Sequence, residues 1–196
     1  MIQTAPPPGL PIETERLILR SWRDADYPAF AALNADAEVM EFFPATLGRQ
    51  ESDALALRIR ERIETEGLGF FAVEEKATGR FIGMVGPSVP PYGAELPCGP
   101  CTEIGWRLSR AAWGKGYASE AAAASLDFAF DVLGRDEVVA FTAAQNERSQ
   151  AVMRRIGMTR DESCDFDHPL LPADHRLSRH VLYRIPRARW EALRSR

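Results

Sequence analysis

One local unit near the middle of the chain restricts the fold more than any other. A strand-like stretch, Thr102 to Leu108, leads into Trp113-Gly114-Lys115-Gly116-Tyr117-Ala118-Ser119-Glu120-Ala121, and then into a long helical pattern ending at Leu133. Ala118, Ala122, Leu126, Phe130 and Leu133 give that helix one apolar stripe. Its small residues, Ala121 to Ala124, let it lie close against a sheet. Strand, glycine turn and helix start together make a concavity of backbone N–H groups with partial positive charge, suited to a pyrophosphate. Two nucleotide motifs are excluded. Gly116 stands where a Walker A sequence needs Ser or Thr after its Lys, and the three spaced glycines of a Rossmann turn are absent.

The flanking patterns place this unit in a mixed α/β domain. Arg16 to Trp22 reads as a strand, and Asp24 is placed as the N-cap of a helix reaching Asn34. Gln50 to Glu66 carries Leu55, Ile59 and Ile63 at helical spacing. Phe70 to Glu74 and Arg80 to Gly86 flank the turn Ala77-Thr78-Gly79 as a hairpin. Val138 to Thr142 is a strand, Glu147 to Ile156 a helix, and strands recur near Met158 to Arg160 and Leu177 to Ile185. This order predicts one twisted mixed sheet of about seven strands with helices on both faces. The proline-rich segment 1–12 reads as a flexible arm, and 13–196 as the domain. Ser88 to Pro100, with four prolines and two glycines, reads as a long loop.

Composition narrows the function classes. Apolar residues make up 45% and charged residues 27% of the chain, which suits a folded globular protein. No apolar run reaches a membrane span and the N-terminus lacks an apolar signal core, so a cytoplasmic protein is expected. A net charge of −4 disfavours nucleic acid and gives a slight preference for a cationic partner. Seven arginines between Arg176 and Arg196 read as a solvated tail. Cys98 and Cys101 spell a CxxC, but the second leads into a strand rather than a helix, so a redox role is not expected. Cys164, His168, His175 and His180 match no metal-binding spacing, so no metal is expected.

Four segments in order resemble the GNAT acetyltransferase superfamily, in its ribosomal-protein N-terminal acetyltransferase-like branch. They are Thr14 to Arg20, Glu103 to Leu108, the Trp113 to Ala121 turn, and Asn146-Glu147-Arg148-Ser149 followed by Gly157-Met158. The resemblance implies a sheet splayed between Thr102–Leu108 and Val138–Thr142, with the pantetheine arm of acetyl-CoA lying in the gap like an added strand. It implies that Trp106 and Leu108 offer main-chain groups to that arm. Trp113, Gly114, Lys115, Gly116, Tyr117, Ala118 and Ser119 would hold the pyrophosphate, and Asn146 the pantetheine amide. Ala111 replaces the Gln or Arg usual before the turn, which removes a side-chain contact but leaves the amide cradle.

The implied activity is N-acetyl transfer from acetyl-CoA to a primary amine by direct transfer, releasing coenzyme A. Glu103 resembles the family's carboxylate base; the competing reading is a buried structural carboxylate holding an amide or an arginine. Met153 stands where many relatives have a proton-donating Tyr, so Ser149 is the expected donor to the thiolate, and it also touches cofactor. Tyr117 is expected to pack. Met40, Phe42 and Phe43 read as packing residues or as the lining of the acceptor mouth, and His168 as a capped loop histidine or as a substrate contact. The acceptor is either a protein N-terminus or a small-molecule amine, and the resemblance allows a homodimer. A non-catalytic acyl-CoA sensor on the same fold is the alternative.

Overall fold

A computed structural model describes residues 9–195. The strands are β1 (Ile12–Glu13), β2 (Leu17–Arg20), β3 (Phe71–Glu75), β4 (Arg80–Ser88), β5 (Glu103–Leu108), β6 (Glu137–Ala143), β7 (Thr159–Arg160), β8 (Phe166–Asp167) and β9 (Arg179–Pro186). The helices are α1 (Tyr27–Ala35), α2 (Arg49–Glu66), α3 (Tyr117–Asp127), α4 (Glu147–Arg155) and α5 (Arg187–Arg194). All nine strands join one sheet, ordered β1-β2-β3-β4-β5-β6-β9-β7, with β8 also paired to β9. Every pairing is antiparallel except β5–β6.

The mixed α/β sheet is therefore as expected, with nine strands instead of about seven. The extra strands, β1 and β8, are two residues long and carry no alternation to read. The arm expected over 1–12 falls partly on residues 1–8, outside the described ones. Its remainder belongs to the body: Leu10 is buried in the core and Ile12 pairs with Leu19.

Strand alternation sets what each face meets. Phe71 of β3 packs edge-on against Phe128, in the π-helical turn that continues α3. The opposite face of the same sheet carries Glu74 and lies under the first helical segment. There Arg20 bonds Asp26 through both terminal nitrogens at 2.8 Å and Glu74 through Nε at 2.8 Å. Asp26, rather than the expected Asp24, receives the Arg23 N–H that opens this segment. Asp24 is exposed and pairs with Arg60. The cause is burial, since Asp26 is 3% exposed and can serve cap and arginine together.

The arginine-rich C-terminus is a docked helix rather than a solvated tail. Trp190 of α5 is buried and donates to Asp127, while Arg194 meets Asp127 and Asp131. Acids spaced four apart on α3 and its continuation receive the charge that a sequence count assigns to solvent.

Candidate active site

β5 and β6 run parallel but stay paired only at Glu103↔Val139, where the Val139 N–H also donates to Thr102 O at 2.9 Å. Beyond that joint the strands separate. The Ser109 N–H bonds Ile82 O at 2.9 Å, which fixes the phase of β5 on β4. Main-chain groups of Glu103, Gly105 and Arg107 then face β4, and those of Ile104, Trp106 and Leu108 face the gap. Pro87, which has no N–H, stands opposite Ile104 and agrees with this phase. The expected open edge at Trp106 and Leu108 thus exists. The Trp113 indole takes Leu108 O at 2.9 Å, so Leu108 offers mainly its N–H.

The gap opens into a cavity of about 1180 Å³. Its lining includes Glu103, Trp106, Leu108, Trp113, Gly114, Gly116, Tyr117, Ala118, Ser119, Asn146 and Ser149. Lys115 is the one expected site residue outside it. Its ammonium lies 3.9 Å from Glu75 and 5.7 Å from the Tyr117 ring centre. Its carbonyl accepts from Arg16.

Gly114 and Gly116 have φ of +74° and +80°, a left-handed backbone that a side chain disfavours. Gly116 caps α3 with no side chain, and the first helical bond is Glu120 N–H to Gly116 O. The N–H groups of the first turn are left without helical partners at the cavity wall. Arg16 fastens this turn. It bonds Lys115 O at 2.9 Å and Glu120 at 2.7 Å, and lies 4.8 Å over the Tyr117 ring. Tyr117 donates its hydroxyl to Glu75 at 2.7 Å, as a packing residue would.

Asn146 caps α4. Its Oδ1 accepts from the Ser149 N–H at 3.1 Å, and its Nδ2 donates to Thr142 Oγ1 and Ser149 Oγ at 2.9 and 3.0 Å. Asn146 therefore has one remaining acceptor lone pair. Ser149 Oγ receives a hydrogen bond, and its own proton has no partner among the described residues. Met153 is 1% exposed, carries no proton to give, and borders the same cavity.

Glu103 sits at the joint of the split. Its carboxylate makes no hydrogen bond among the described residues, unlike a structural carboxylate holding an amide or an arginine. Burial pushes it up to about 7, with Arg62 pulling the other way. Arg62 itself is engaged with Ser88 Oγ and Val89 O.

The Ser88–Pro100 loop folds onto the Glu103 face. Leu96 packs with Val139, Phe166 and Leu182 in a second, smaller core bordered by Tyr92, Cys98 and Cys101. The loop brings Tyr92 into the cavity wall beside Glu103, a placement no sequence pattern signals. His168 Nδ1 accepts the Leu170 N–H at 3.2 Å, so Nε2 carries the proton and donates to Tyr92 Oη at 3.1 Å. Burial and the neighbouring His180 bring His168 down to about 4, keeping it neutral. Burial, then Glu103 and Cys101, push the Tyr92 hydroxyl up.

Phe42 and Phe43 line the cavity as expected, and Met40 is buried nearby without lining it. Arg148 stacks 4.5 Å from the Trp113 ring centre and bonds Glu41. Arg176 bonds Glu41 O at 2.6 Å. The α1–α2 connection is thereby tied to α4 and to the late loop. Among the described residues no His, Cys, Asp and Glu group has metal-holding geometry, and no helix is long and apolar enough to cross a membrane.

Comparison with known proteins agrees with this architecture. The model of the Acetyltransferase (GNAT) domain family matches residues 16–159. The chain is 30% identical over 146 residues to the Bacillus subtilis protein YkkB, covering 74% of this chain and 83% of that one. It is 31% identical over 163 residues to the FsC-acetyl coenzyme A-N(2)-transacetylase of Aspergillus fumigatus, covering 81% and 68%. An acetyltransferase structure from Agrobacterium tumefaciens superposes with TM-score 0.70 at 30% identity, covering 88% and 92%. The ribosomal-protein-S5-alanine acetyltransferase of Vibrio fischeri shares the fold at TM-score 0.69 and 18% identity, covering 91% and 97%. Together the family model and these relatives make the chain an acetyltransferase enzyme. The chain belongs to the GNAT acetyltransferase family.

Proposed function

We propose that this enzyme transfers an acetyl group from acetyl-CoA to a primary amine, directly and without an acyl-enzyme. The observation that carries this reading is the split at Glu103↔Val139. It leaves a hydrogen-bonding strand edge between a diphosphate-sized amide cradle and an unpaired carboxylate. Acetyl-CoA supplies an acyl group activated as a thioester. The residues fit such a molecule along its length. Free amides at the start of α3 suit the diphosphate, and the Trp106 and Leu108 N–H groups suit the pantetheine amides. The Aspergillus relative carries acetyl coenzyme A in its name.

The protein's own chemistry is modest. Glu103, poised near neutrality, accepts the proton that the attacking amine sheds, directly or through one water. An N–H of the gap edge meets the oxygen that gains charge. As the carbon–sulfur bond breaks, Ser149 offers its unpartnered hydroxyl proton to the departing thiolate and takes one back from water, while Glu103 returns the amine's proton to water. A free α-amine, with a pKa near ~7.7–8.0, matches such a base better than a lysine near ~10.4.

The test incubates protein and acetyl-CoA with a panel of α-amines and lysine-type amines. Free thiol and acetylated product are followed together. Equal yields of thiol and acetyl-amine, with α-amines ahead, are expected. Coenzyme A binding by calorimetry with no acetylated product from any amine would overturn the catalytic reading.

A further inference from the structure

The acceptor half of the cavity contains a half-buried cation with no carboxylate paired to it among the described residues. Glu103, Gly105 and Arg107 occupy one face of β5, the face under α1 and α2. Arg107 lies flat on Phe43, its guanidinium carbon 3.9 Å from the ring centre. Its Nη1 donates to Asn34 Oδ1 at 2.6 Å. Asn34 is fully buried, and its Nδ2 is fixed by Ser52 Oγ of α2 at 2.9 Å. The guanidinium is thus held in one plane by an aromatic face and a neutral amide.

The other edge is unused. Nε is buried without a hydrogen-bond partner, and Nη2, on the same edge, has none among the described residues. No acid pairs with Arg107 among those residues. Glu38, the acid of the α1–α2 connection that borders the cavity, bonds Arg110, as Asp36 does. Nε is out of reach of a ligand atom, so Nη2 is the end open to the cavity, and its N–H groups can take a carboxylate oxygen in a charged hydrogen bond. Burial lowers Arg107 to about 10, which leaves it charged at neutral pH.

We infer that Arg107 is an anchor for a carboxylate on the acceptor, so that the amine substrate is a small amino-carboxylate. This rests on the proposed amine acetylation and names its substrate class. Gly105 stands between base and anchor, and Phe70 covers it; a Cβ there would lie 2.9 Å from Phe70 Cε1. Four residues of strand put the two backbone positions about 13 Å apart. An amine relayed to Glu103 through a water, and a carboxylate on Arg107, then fit within one small molecule. The tie of Glu41 to Arg148 and Arg176 across the mouth favours a free amino acid or similar molecule over a folded protein's N-terminus.

The experiment uses matched acceptors: α-amino acids, their carboxamides and methyl esters, amino acids with a second carboxylate, and peptides beginning with an acidic residue. Loss of one charged hydrogen bond is expected to lower kcat/KM about 10–100-fold for the amide and ester against the acid. Arg107→Gln should erase that preference, and Arg107→Lys should keep part of it. Equal rates for acid and amide in the wild-type enzyme, or a preference that survives in Arg107→Gln, would overturn the inference. Peptides outrunning free amino acids would overturn its small-molecule part. Calorimetry on the coenzyme A-loaded protein, with acid and amide as probes, gives an answer even if no amine is acetylated. Acid preference there supports the anchor independently of turnover, and its absence rejects it. Melting curves of both variants confirm that they are folded.

Discussion

Two arginines on the same face of one sheet, one buried and one half-buried, have opposite fates. Arg20, in the closed half, is 6% exposed and saturated by Asp26 and Glu74. Arg107, at the split, meets one neutral amide and an aromatic ring. Desolvating a cation costs several kcal/mol unless a fixed anion repays it. The closed half repays that cost within the fold, and the open half leaves it to a ligand. Glu103 repeats the pattern with the opposite sign, since it is a half-buried carboxylate without a hydrogen bond among the described residues. Stability is built on one side of β4, and unsatisfied chemistry is kept on the other.

The comparison breaks most visibly at Asp26. Asp26→Asn removes the bidentate partner and leaves Arg20 buried with Glu74 alone. Stability should fall by about 3–5 kcal/mol, read from denaturant midpoints, while coenzyme A affinity of the folded fraction is retained. Arg107→Met, which removes an unsatisfied charge, should cost nothing or stabilise the protein. Similar losses at both positions would show that the two arginines are equivalent.

Glu103→Gln sharpens the same contrast through rate. Turnover should fall about 10²–10³-fold, with coenzyme A affinity nearly unchanged. In the wild-type enzyme kcat/KM should rise with pH through about 7, the value burial gives Glu103, and the variant should lose that limb. Stability moves the other way. A folded-state pKa raised above the ordinary carboxylate value means that the native protein holds its proton more tightly. Native stability therefore declines as pH climbs from about 4.5 to about 7, the interval of the shift. Glu103→Gln should melt higher than wild type at pH 8 and equally at pH 4.

The turn gives a smaller effect. Gly116→Ala puts a Cβ on a backbone with φ of +80°, at a strain of about 1–2 kcal/mol. The nearest atom to that Cβ is Arg16 Nη2 at 3.5 Å, so the cost is conformational rather than steric. Calorimetry should show coenzyme A binding weakened about tenfold with little change in acceptor KM.

Much of this was legible in the chain because the responsible signals are local. The turn from Trp113 to Ser119, the alternation of β5 and the cap at Asn146 each depend on near neighbours in sequence. Arg16 was not recognised as the clamp of the turn, because its partners Lys115 and Glu120 are about a hundred residues away. Tyr92 was hidden in a proline-rich loop whose packing on Val139 and Leu182 no periodicity encodes. Arg107 was invisible for a different reason. Its importance lies in a missing partner, and a sequence shows the charges present but not which of them go unpaired. Arg194 is hard to read on the same ground, since Asp127 and Asp131 neutralise it only once α5 has docked.

Ser149 supplies the smallest expected effect and the finest distinction. Its Oγ already accepts from Asn146 Nδ2 at 3.0 Å, which orients the hydroxyl and frees its proton for an acceptor in the cavity. Ser149→Ala removes that proton but keeps the main-chain bond that caps α4. Asn146 Nδ2 retains Thr142, so the helix start should survive. If the hydroxyl protonates the departing thiolate, kcat should fall about tenfold, the lower end for a general acid. Coenzyme A affinity should change less than twofold, and Ser149→Thr should restore most of the rate. If the hydroxyl only touches cofactor, affinity and KM for acetyl-CoA should move and kcat should not. Water reaching the thiolate limits the loss at this open end of the split, whereas water at the joint can relay a proton but cannot hold it as Glu103 does. The two variants together therefore measure how far solvent enters the gap.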